Sequence, residues 1–245
     1  MSAPLEQQED LTVQGPLFRD RRDAGDALVK SLQQHRDAHA LVLGVPRGGV
    51  PVAAQVARAL NANLDVVVSR KLVSPVSAEL AIGAVTANGG RFLNEDLIRT
   101  LNVSDAYLTA VTATQRAEAR RRETLFRGSR PAPVIGGRTV ILVDDSLATG
   151  ATMRAAVRSV RLQRPKRIVV AVPVGSPEAC AALRDEADEV VCLYEPTYLG
   201  AVGYYYRDFE QTQDRDVQTL LEESVNSSRI SAPSSPADVA IQEAS

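Results

Sequence analysis

The sequence predicts an α/β protein: a doubly wound parallel sheet with a small hood subdomain inserted after the second strand. Short apolar runs alternate with stretches of helical periodicity, which is the pattern of strand–helix–strand units. Several of the runs end in glycine or polar residues, as buried parallel strands do before a turn. Between two such units lies a segment with hairpin signals instead. The predicted strands span residues 40–45, 64–71, 139–143, 167–174 and 189–194.

The first strand–helix–strand unit follows a predicted surface helix at residues 18–39. The run ALVLGV at 40–45 is the first strand, and it ends in the turn sequence PRGG. Apolar residues then recur at helical spacing, which predicts an amphipathic helix. These residues are Val50, Ala53, Ala54, Ala57 and Leu60. The run LDVVVSRK at 64–71 is the second strand.

The hood subdomain is predicted at about residues 72–136. Asn88-Gly89-Gly90 lies between two β-prone pieces and indicates a hairpin. A long charged helix is expected from Ser104, a good N-cap residue, to Phe126. Glycines and prolines then break regular structure before the parallel pattern resumes.

The second half of the chain predicts two further crossover helices and loose ends. Met153, Ala156, Val157 and Val160 repeat the helical spacing after the third strand. A helix at residues 176–186 has Ser176 as its N-cap and proline in its first turn. The domain is expected to span residues 18–223, after a loose leader at 1–17 and before a Ser/Ala/Pro-rich, disordered tail at 224–245.

Composition excludes several classes of protein. Hydrophobic residues make up 44% of the chain and charged residues 24%, as in ordinary globular domains. The net charge of −2 gives no strong field to attract nucleic acid, which is not expected as a partner. The two cysteines form no disulfide framework and lack metal-site spacing. Neither a signal peptide nor a run of the ~20 apolar residues of a membrane span is evident, so a cytoplasmic protein without a membrane partner is expected.

Three chemically unusual clusters follow predicted strands. They are PRGG at 46–49, SRK at 69–71 and DDSLATGAT at 144–152. Because ligands of open parallel sheets bind beyond the carboxyl ends of the strands, these clusters are expected to meet at one edge. Their convergence is more informative than any one of them.

The cluster at 144–152 has the chemistry of a ribose 5-phosphate site. Thr149 to Thr152 open a helix, where unpaired backbone N–H groups, a positive dipole and two hydroxyls can bind a phosphate. The stretch is not a Walker A loop, because no G-K-[ST] sequence follows. Asp144 and Asp145 would repel a phosphate and instead suit sugar hydroxyls or a bridging cation. The alternative interpretation is a pair of N-capping aspartates at an ordinary corner.

The stretch VILVDDSLATGATM resembles the phosphoribosyl pyrophosphate signature of type I phosphoribosyltransferases. GVPRGGVPVA is similar to the pyrophosphate loop of that family, and SRK to its next basic pair. ELAIGAV and VGYYYRDF resemble stand-alone bacterial members whose acceptor is undefined. The resemblance covers residues 18–223 and implies the family's fold and its reaction.

Carried over residue by residue, the resemblance implies a site for phosphoribosyl pyrophosphate. Asp144 and Asp145 would hold the ribose hydroxyls, and residues 148–152 would wrap the 5-phosphate. The loop residues assigned to the substrate are Ser146, Leu147, Ala148, Thr149, Gly150, Ala151 and Thr152. The residues expected to meet pyrophosphate are Arg47, Gly48, Gly49, Arg70 and Lys71. Mg²⁺ would bind through substrate and water oxygens rather than in a protein cage.

The acceptor is a nitrogenous base whose identity stays open. Members that act on 6-oxopurines usually carry an acid at the position of Ala148, which cannot hydrogen-bond a base. The K-x-H-G string of orotate enzymes is also absent from the predicted hood. Tyr205, in the run GYYYRDF, is a candidate aromatic wall for a planar base, and core packing is the alternative.

Two other patterns have mainly structural interpretations. The arginines of the hood alternate with Glu118 and Glu123, which favours a solvated helix face over a nucleic-acid surface. They are Arg116, Arg120, Arg121, Arg122, Arg127 and Arg130. His35 and His39 have i, i+4 spacing, but without a third ligand exposed helix histidines are expected.

Two hypotheses about function remain. The first is a catalytic phosphoribosyltransferase, with a homodimer left open. The second is a non-catalytic regulator that senses phosphoribosyl pyrophosphate and controls RNA or DNA through the basic hood. A sensor would retain the same pocket, so the pocket residues favour catalysis only modestly.

Overall fold

The computed structural model describes residues 15–230 and confirms the predicted doubly wound sheet. Five parallel strands form it in the spatial order β2-β1-β6-β7-β8. The strands are β1 (Leu41–Gly44), β2 (Asn63–Val66), β6 (Thr139–Val143), β7 (Arg167–Val174) and β8 (Glu189–Tyr194). The central strands β1 and β6 are buried along their whole length.

Helices cover both faces of the main sheet because alternate strand residues point in opposite directions. Val42 and Ile141 pack in the core on the side of α1, α2 and α7. Leu43 and Leu142 pack on the other side, against α5 and α6. The helices are α1 (Arg21–Val29), α2 (Gly49–Leu60), α5 (Ala151–Arg161), α6 (Pro177–Arg184) and α7 (Asp214–Ile230). As predicted, Ser176 caps α6, its side chain accepting from the Ala179 N–H.

The inserted subdomain is a three-stranded antiparallel sheet with two helices against it. β3 (Ser69–Val73), β4 (Ala81–Thr86) and β5 (Arg91–Leu93) form the sheet, and α3 (Glu95–Thr100) and α4 (Asp105–Arg127) follow. The predicted hairpin is confirmed, because β4 and β5 flank Asn88-Gly89-Gly90. The predicted N-cap is confirmed as well, with the Ser104 side chain accepting from the Tyr107 N–H.

The second strand predicted at 64–71 is wrong in extent, because this stretch crosses between two sheets. β2 ends at Val66, and the Val67 N–H still donates to the Gly44 carbonyl at 3.1 Å. Ser69 then begins β3, opposite Thr86 in the antiparallel sheet. The subdomain therefore starts three residues earlier than predicted, and the basic pair at 70–71 lies within it.

The helix predicted at 18–39 is shorter than expected, and the histidines do not share it. α1 ends at Val29, and a separate 3₁₀ turn spans Gln33–His35. His35 is buried, 3.3 Å from the carboxylate of Glu189, so the expectation that it is exposed is wrong. His39 is exposed and lies beyond both helices.

The C-terminal helix extends past the predicted domain limit. α7 runs to Ile230, so the disordered tail predicted from residue 224 is wrong for residues 224–230. The rest of that tail, and most of the predicted leader, lie outside the described residues. No helix in the described range 15–230 combines the length and apolarity needed to span a membrane.

Candidate active site

The PRGG loop and the acidic pair are in direct contact at the carboxyl edge of the sheet. Gly44 and Val143, the last residues of β1 and β6, lie side by side, and the Val45 N–H donates to the Val143 carbonyl at 2.8 Å. A Cβ atom on Gly49 would lie 2.7 Å from the Asp144 Cα, and one on Gly48 would overlap the Asp145 carboxylate. Glycine is therefore required at position 49, where the neighbours are backbone atoms, and a side chain at position 48 would displace the Asp145 carboxylate. Two of the three predicted clusters thus meet.

The loop at 146–150 leads into the N-terminus of α5. Gly150, with φ +73°, is the N-cap and provides no capping side chain to the first-turn N–H groups. The loop is anchored at Leu147, whose N–H donates to the Val174 carbonyl at 2.9 Å. Because the Leu147 side chain is buried, this residue offers a ligand only its backbone, whereas Ala148 and Thr149 are exposed. The arrangement fits an anion at the helix N-terminus.

Asp145 is held by residues from both ends of the domain. The Arg21 Nε of α1 donates to Asp145 Oδ2 at 2.8 Å, with only 12% and 14% of the two side chains exposed. The same guanidinium donates to the Glu210 carbonyl at 2.7 Å and lies 3.9 Å from the centroid of the Phe209 ring. The Tyr206 hydroxyl donates to the Asp145 carbonyl at 2.6 Å. These contacts fix the orientation of the second acid.

Asp144 has an unusual protonation equilibrium. Burial raises its pKa well above the ordinary value of 3.8, and the neighbouring charge of Asp145 raises it further. The Asp145 N–H donates to Asp144 Oδ1 at 2.9 Å, and this bond and the charge of Arg21 lower the pKa in part. Neighbouring carboxylates with different environments are typical of functional sites.

Arg47, in the PRGG loop, forms an ion pair with the C-terminal helix. Arg47 Nη1 lies 3.5 Å from Asp214 Oδ1 at the start of α7. Arg122 of α4 lies 3.5 Å from the other oxygen of that carboxylate. Asp214 therefore links the PRGG loop to the hood helix, and Arg47 is oriented by a carboxylate that a bound polyanion would have to displace or share.

The structure places Arg70 and Lys71 on opposite faces of β3. Arg70 Nε donates to Gln115 Oε1 of α4 at 3.2 Å. Lys71 is exposed and shares its strand face with Ser69, whose hydroxyl donates to the Thr152 carbonyl at 2.9 Å. Lys71 thus lies on the side of the loop at 144–152, and Arg70 is turned toward the hood helix.

An open cleft of about 490 Å³ adjoins the loop. Its lining includes Ala148, Thr149 and Ser176 on one side and residues 197–200 on the other. The aromatic residue of this lining is Tyr198, whose side chain is 86% exposed. Tyr205 is not part of this lining, and its hydroxyl donates to the Leu199 carbonyl at 3.0 Å, so it supports the 197–200 segment.

The arginines of the hood helix are engaged within the protein. The side chains of Arg116 and Arg120 both donate to the Ala87 carbonyl at the hairpin. Arg127 pairs with the buried carboxylates of Asp65 and Glu123 at 2.8 and 2.9 Å. These contacts support the structural interpretation of the basic run.

The family assignment agrees with this geometry. Residues 19–208 match the family described as phosphoribosyl transferase domain. Two Mycobacterium tuberculosis proteins, from strains CDC 1551 and H37Rv, each provisionally named a phosphoribosyl transferase, are 45% identical over 206 residues. That alignment covers 84% of this chain and 46% of each relative, so the chain spans about half their length.

A solved structure shows the same fold. The crystal structure of TT1426 from Thermus thermophilus is 45% identical in sequence, with a TM-score of 0.72. The match covers 84% of this chain and 98% of that one. The chain therefore belongs to the type I phosphoribosyltransferase family, and its fold is the α/β fold of that family.

Sequence reasoning missed Arg21, Asp214 and Tyr198. Arg21 is one of several charged residues on α1, and its partner is 124 positions away. Asp214 lies beyond the residues that the family match covers. For Tyr198, the available signal was a single aromatic residue soon after the last strand, which is weaker than the three consecutive tyrosines at 204–206.

Proposed function

We propose that this protein transfers the 5-phosphoribosyl group from phosphoribosyl pyrophosphate to a nitrogenous base, with release of pyrophosphate and with Mg²⁺ bound. The observation that carries the proposal is the packing of Gly48 and Gly49 against Asp145 and Asp144, directly before the N-terminus of α5. The PRGG turn with its arginine, the two carboxylates that can accept from hydroxyl groups, and a helix N-terminus that can bind phosphate therefore lie side by side. Phosphoribosyl pyrophosphate presents the matching groups in the same order.

The donor would be bound by three kinds of contact. Its 5-phosphate suits the N–H groups and hydroxyls at 149–152, where the helix dipole is positive. Its ribose hydroxyls suit the acidic pair as hydrogen-bond donors. Its pyrophosphate suits Arg47 of the glycine turn and Lys71 of β3, since both are cationic side chains that bind phosphate well.

The proposed reaction is a displacement at the anomeric carbon. A nitrogen of the base forms the new bond to this carbon, the carbon–oxygen bond breaks, and pyrophosphate leaves with the electron pair. Positive charge develops on the ribose ring, as in glycoside chemistry. Asp144 and Asp145 would hold the ring hydroxyls and stabilise this charge, and positioning supplies much of the remaining rate enhancement.

Mg²⁺ fits this site as a substrate-borne ion. The two carboxylates are hard oxygen acceptors beside a polyphosphate site, and they suit the hydration shell of such an ion. When bound, Mg²⁺ would neutralise charge on the leaving group.

The cleft beside Ala148 is the proposed acceptor site. Tyr198 provides an exposed ring against which a planar base could stack. The methyl group of Ala148 cannot hydrogen-bond a base, while the Ser176 hydroxyl is committed to the Ala148 carbonyl at 2.8 Å. The cleft therefore offers stacking and shape more than a fixed set of polar side chains.

The test is pyrophosphate release from phosphoribosyl pyrophosphate and Mg²⁺ across a panel of purines, pyrimidines and other nitrogen heterocycles. We expect release with at least one base and formation of the corresponding nucleotide. Asp144→Asn combined with Asp145→Asn should abolish donor binding measured by calorimetry while circular dichroism stays unchanged.

Donor binding without turnover on any base would contradict the enzyme and favour the sensor hypothesis. Normal donor binding by the double variant would overturn the assignment of the acidic pair. The hood arginines described above are paired within the protein, so no observation favours a nucleic-acid surface as a second proposal.

A further inference from the structure

A thiol cluster lies apart from the acidic pair, between α6 and β8. Cys180 of α6, Cys192 of β8 and Glu195 each offer one ligand atom, and these atoms lie within 4.8 Å of one another. Cys180 is fully buried, whereas Cys192 is half-buried and the Glu195 side chain is 27% exposed. The spacing of the two cysteines gives no metal motif in sequence, so only the packing of α6 on β8 brings them together.

The chain makes room for the two sulfur atoms. A Cβ atom on Gly175 would lie 2.7 Å from the Cys180 Sγ and 3.2 Å from the Cys192 Sγ, so a larger residue would intrude on both thiols. The Cys192 Sγ is also 3.3 Å from the Tyr194 carbonyl oxygen. The glycine therefore keeps open the space in which the thiols meet.

The two thiols interact directly with each other. Hydrogen bonding from Cys192 lowers the pKa of Cys180, burial and the charge of Glu195 oppose this shift, and the charge of Arg184 adds to it. The pKa of Cys192 is raised, chiefly by the same hydrogen bond and by burial. Thiolates rather than thiols are metal ligands, so a cation bound between these two residues would have to displace both protons.

We propose that Cys180, Cys192 and Glu195 form a binding site for one thiophilic divalent cation of the Zn²⁺ type. Two thiolates bound to tetrahedral zinc at ~2.3 Å are roughly 3.8 Å apart, which the 4.8 Å limit on the cluster allows. Two sulfur ligands and one carboxylate leave the fourth tetrahedral position for water, as in zinc sites with three protein ligands. Both thiols would release their protons on binding.

This site is independent of the proposed reaction but adjoins the acceptor cleft. Ser176 and Ala179 of the cleft belong to the same helix start as Cys180, and Glu195 leads directly into residues 197–200 of the opposite wall. Glu195 is paired with Arg184, and a bound cation would compete with that pair. A bound cation would therefore alter the ion pair that restrains Glu195, which directly precedes the segment carrying Tyr198.

The test uses the full chain, reduced and stripped of metal. Cobalt serves as the spectroscopic probe, because thiolate ligation gives a charge-transfer band, and zinc affinity is then measured by competition. We expect one cobalt per chain with a thiolate band. Cys180→Ser and Cys192→Ser should each remove the band and weaken zinc binding beyond the roughly 10–100-fold that loss of an outer-shell partner costs.

Two further variants keep the result interpretable. Glu195→Gln should retain the band with weaker binding, while Glu178→Gln removes an exposed carboxylate from the first turn of α6 and should bind like the wild type. Absence of the band in fully reduced wild-type protein would overturn the site. So would unchanged zinc binding in both cysteine variants, and so would oxidation to an internal disulfide as the only reaction of the pair.

Discussion

At the scale of single residues, the two adjacent aspartates are not equivalent. Arg21 bonds the Asp145 carboxylate and the Tyr206 hydroxyl bonds its backbone carbonyl, whereas Asp144 is half-buried beside a like charge with its pKa raised. Two adjacent residues of the same type thus play different parts, since Asp145 is held by Arg21 and Asp144 has a raised pKa. For Asp144, the carboxylate proposed to bind the donor is also expected to lower the stability of the folded protein at neutral pH.

Arg21→Ala should weaken the binding of phosphoribosyl pyrophosphate, because Asp145 would lose its orientation and present an uncompensated charge to the phosphates. We expect a loss of about 10-fold or more in affinity, which corresponds to roughly 1.4 kcal/mol. Arg21→Lys should recover part of it, since a lysine restores the charge but not the planar geometry. Calorimetry with Arg22→Ala, an exposed neighbour, is the control, and an equal loss there would contradict a specific role.

Asp144→Asn should stabilise the protein at neutral pH while abolishing donor binding. A carboxyl whose folded-state pKa is raised contributes stability below its unfolded pKa, near 3.8, and loses that contribution as pH rises through the folded value. The neutral amide removes this loss, so the Tm should rise by a few degrees, given roughly 2–4 °C per kcal/mol for a domain of this size.

The advantage should disappear in acid, where Asp144 is itself neutral. Thermal melts at neutral and acidic pH measure the difference directly. Asp26→Asn, at an exposed position of α1, should leave the Tm nearly unchanged at both. A stabilisation of Asp144→Asn that persists in acid would contradict the assigned cause.

At the scale of elements, the site depends on how closely two loops approach. The turn between β1 and α2 lies against the turn between β6 and α5 with no room for a side chain at Gly49. The same turn also carries Arg47, whose preceding peptide bond is cis. The close contact at Gly49 means that backbone packing, as well as side-chain charge, sets the geometry of the candidate site.

Gly49→Ala should disrupt the donor site. Its methyl group would lie 2.6 Å from the Val143 carbonyl oxygen and 2.7 Å from the Asp144 Cα, which are backbone atoms that cannot rotate away. Overpacking of this kind costs about 1–3 kcal/mol, and donor binding should fall below detection.

The matched control is Gly136→Ala, where the added methyl group meets only the Gln163 carbonyl at 3.5 Å. Urea denaturation and calorimetry of both variants make the comparison. Equal stability and equal affinity in the two proteins would show that the loops can separate at little cost.

At the scale of the whole molecule, the core extends beyond the residues that define the family. The family match ends at residue 208, yet Val217 and Leu221 of α7 are fully buried against the α1–α2 side of the sheet. α7 also provides Asp214, which orients Arg47. The C-terminal helix is therefore part of both the fold and the site.

Leu221→Ala should destabilise the domain by about 2–5 kcal/mol, as removal of a fully buried leucine side chain usually does. Leu162→Ala, at a position that is 68% exposed, should change the free energy of unfolding by no more than about 0.5 kcal/mol. Urea denaturation followed by circular dichroism measures both. A loss of less than about 1 kcal/mol in the free energy of unfolding of Leu221→Ala would mean that α7 contributes little to the stability of the domain.

Much of the fold was predictable because the buried parallel strands are continuous apolar runs. The strands predicted at 139–143, 167–174 and 189–194 agree with β6, β7 and β8 in both bounds. The run at 64–71 was predicted wrongly because its hydrophobicity continues while the chain leaves one sheet and joins another. The helix beyond residue 223 was missed because its Ser-rich composition is typical of disordered segments.

The candidate site could be predicted from the sequence where its residues are adjacent in the chain. The acidic pair and the loop to residue 152 stand together in sequence, and their residue types predict hydroxyl and phosphate contacts. Arg21 and Asp214 act on that site from distant positions through single ion pairs, and nothing in their neighbours distinguishes them. The same holds for the two cysteines, whose proximity depends on the packing of α6 against β8.

The Ser176 hydroxyl caps α6 and holds the proposed donor loop at the same time. It accepts from the Ala179 N–H and donates to the Ala148 carbonyl. This one hydroxyl therefore connects the start of α6, which lines the proposed acceptor cleft, to the loop at 146–150, which is proposed to bind the donor. A donor and a base bound on the two sides of the Ser176 hydroxyl would be thermodynamically coupled. If bound donor changes the affinity for the base by some factor, bound base must change the affinity for the donor by the same factor.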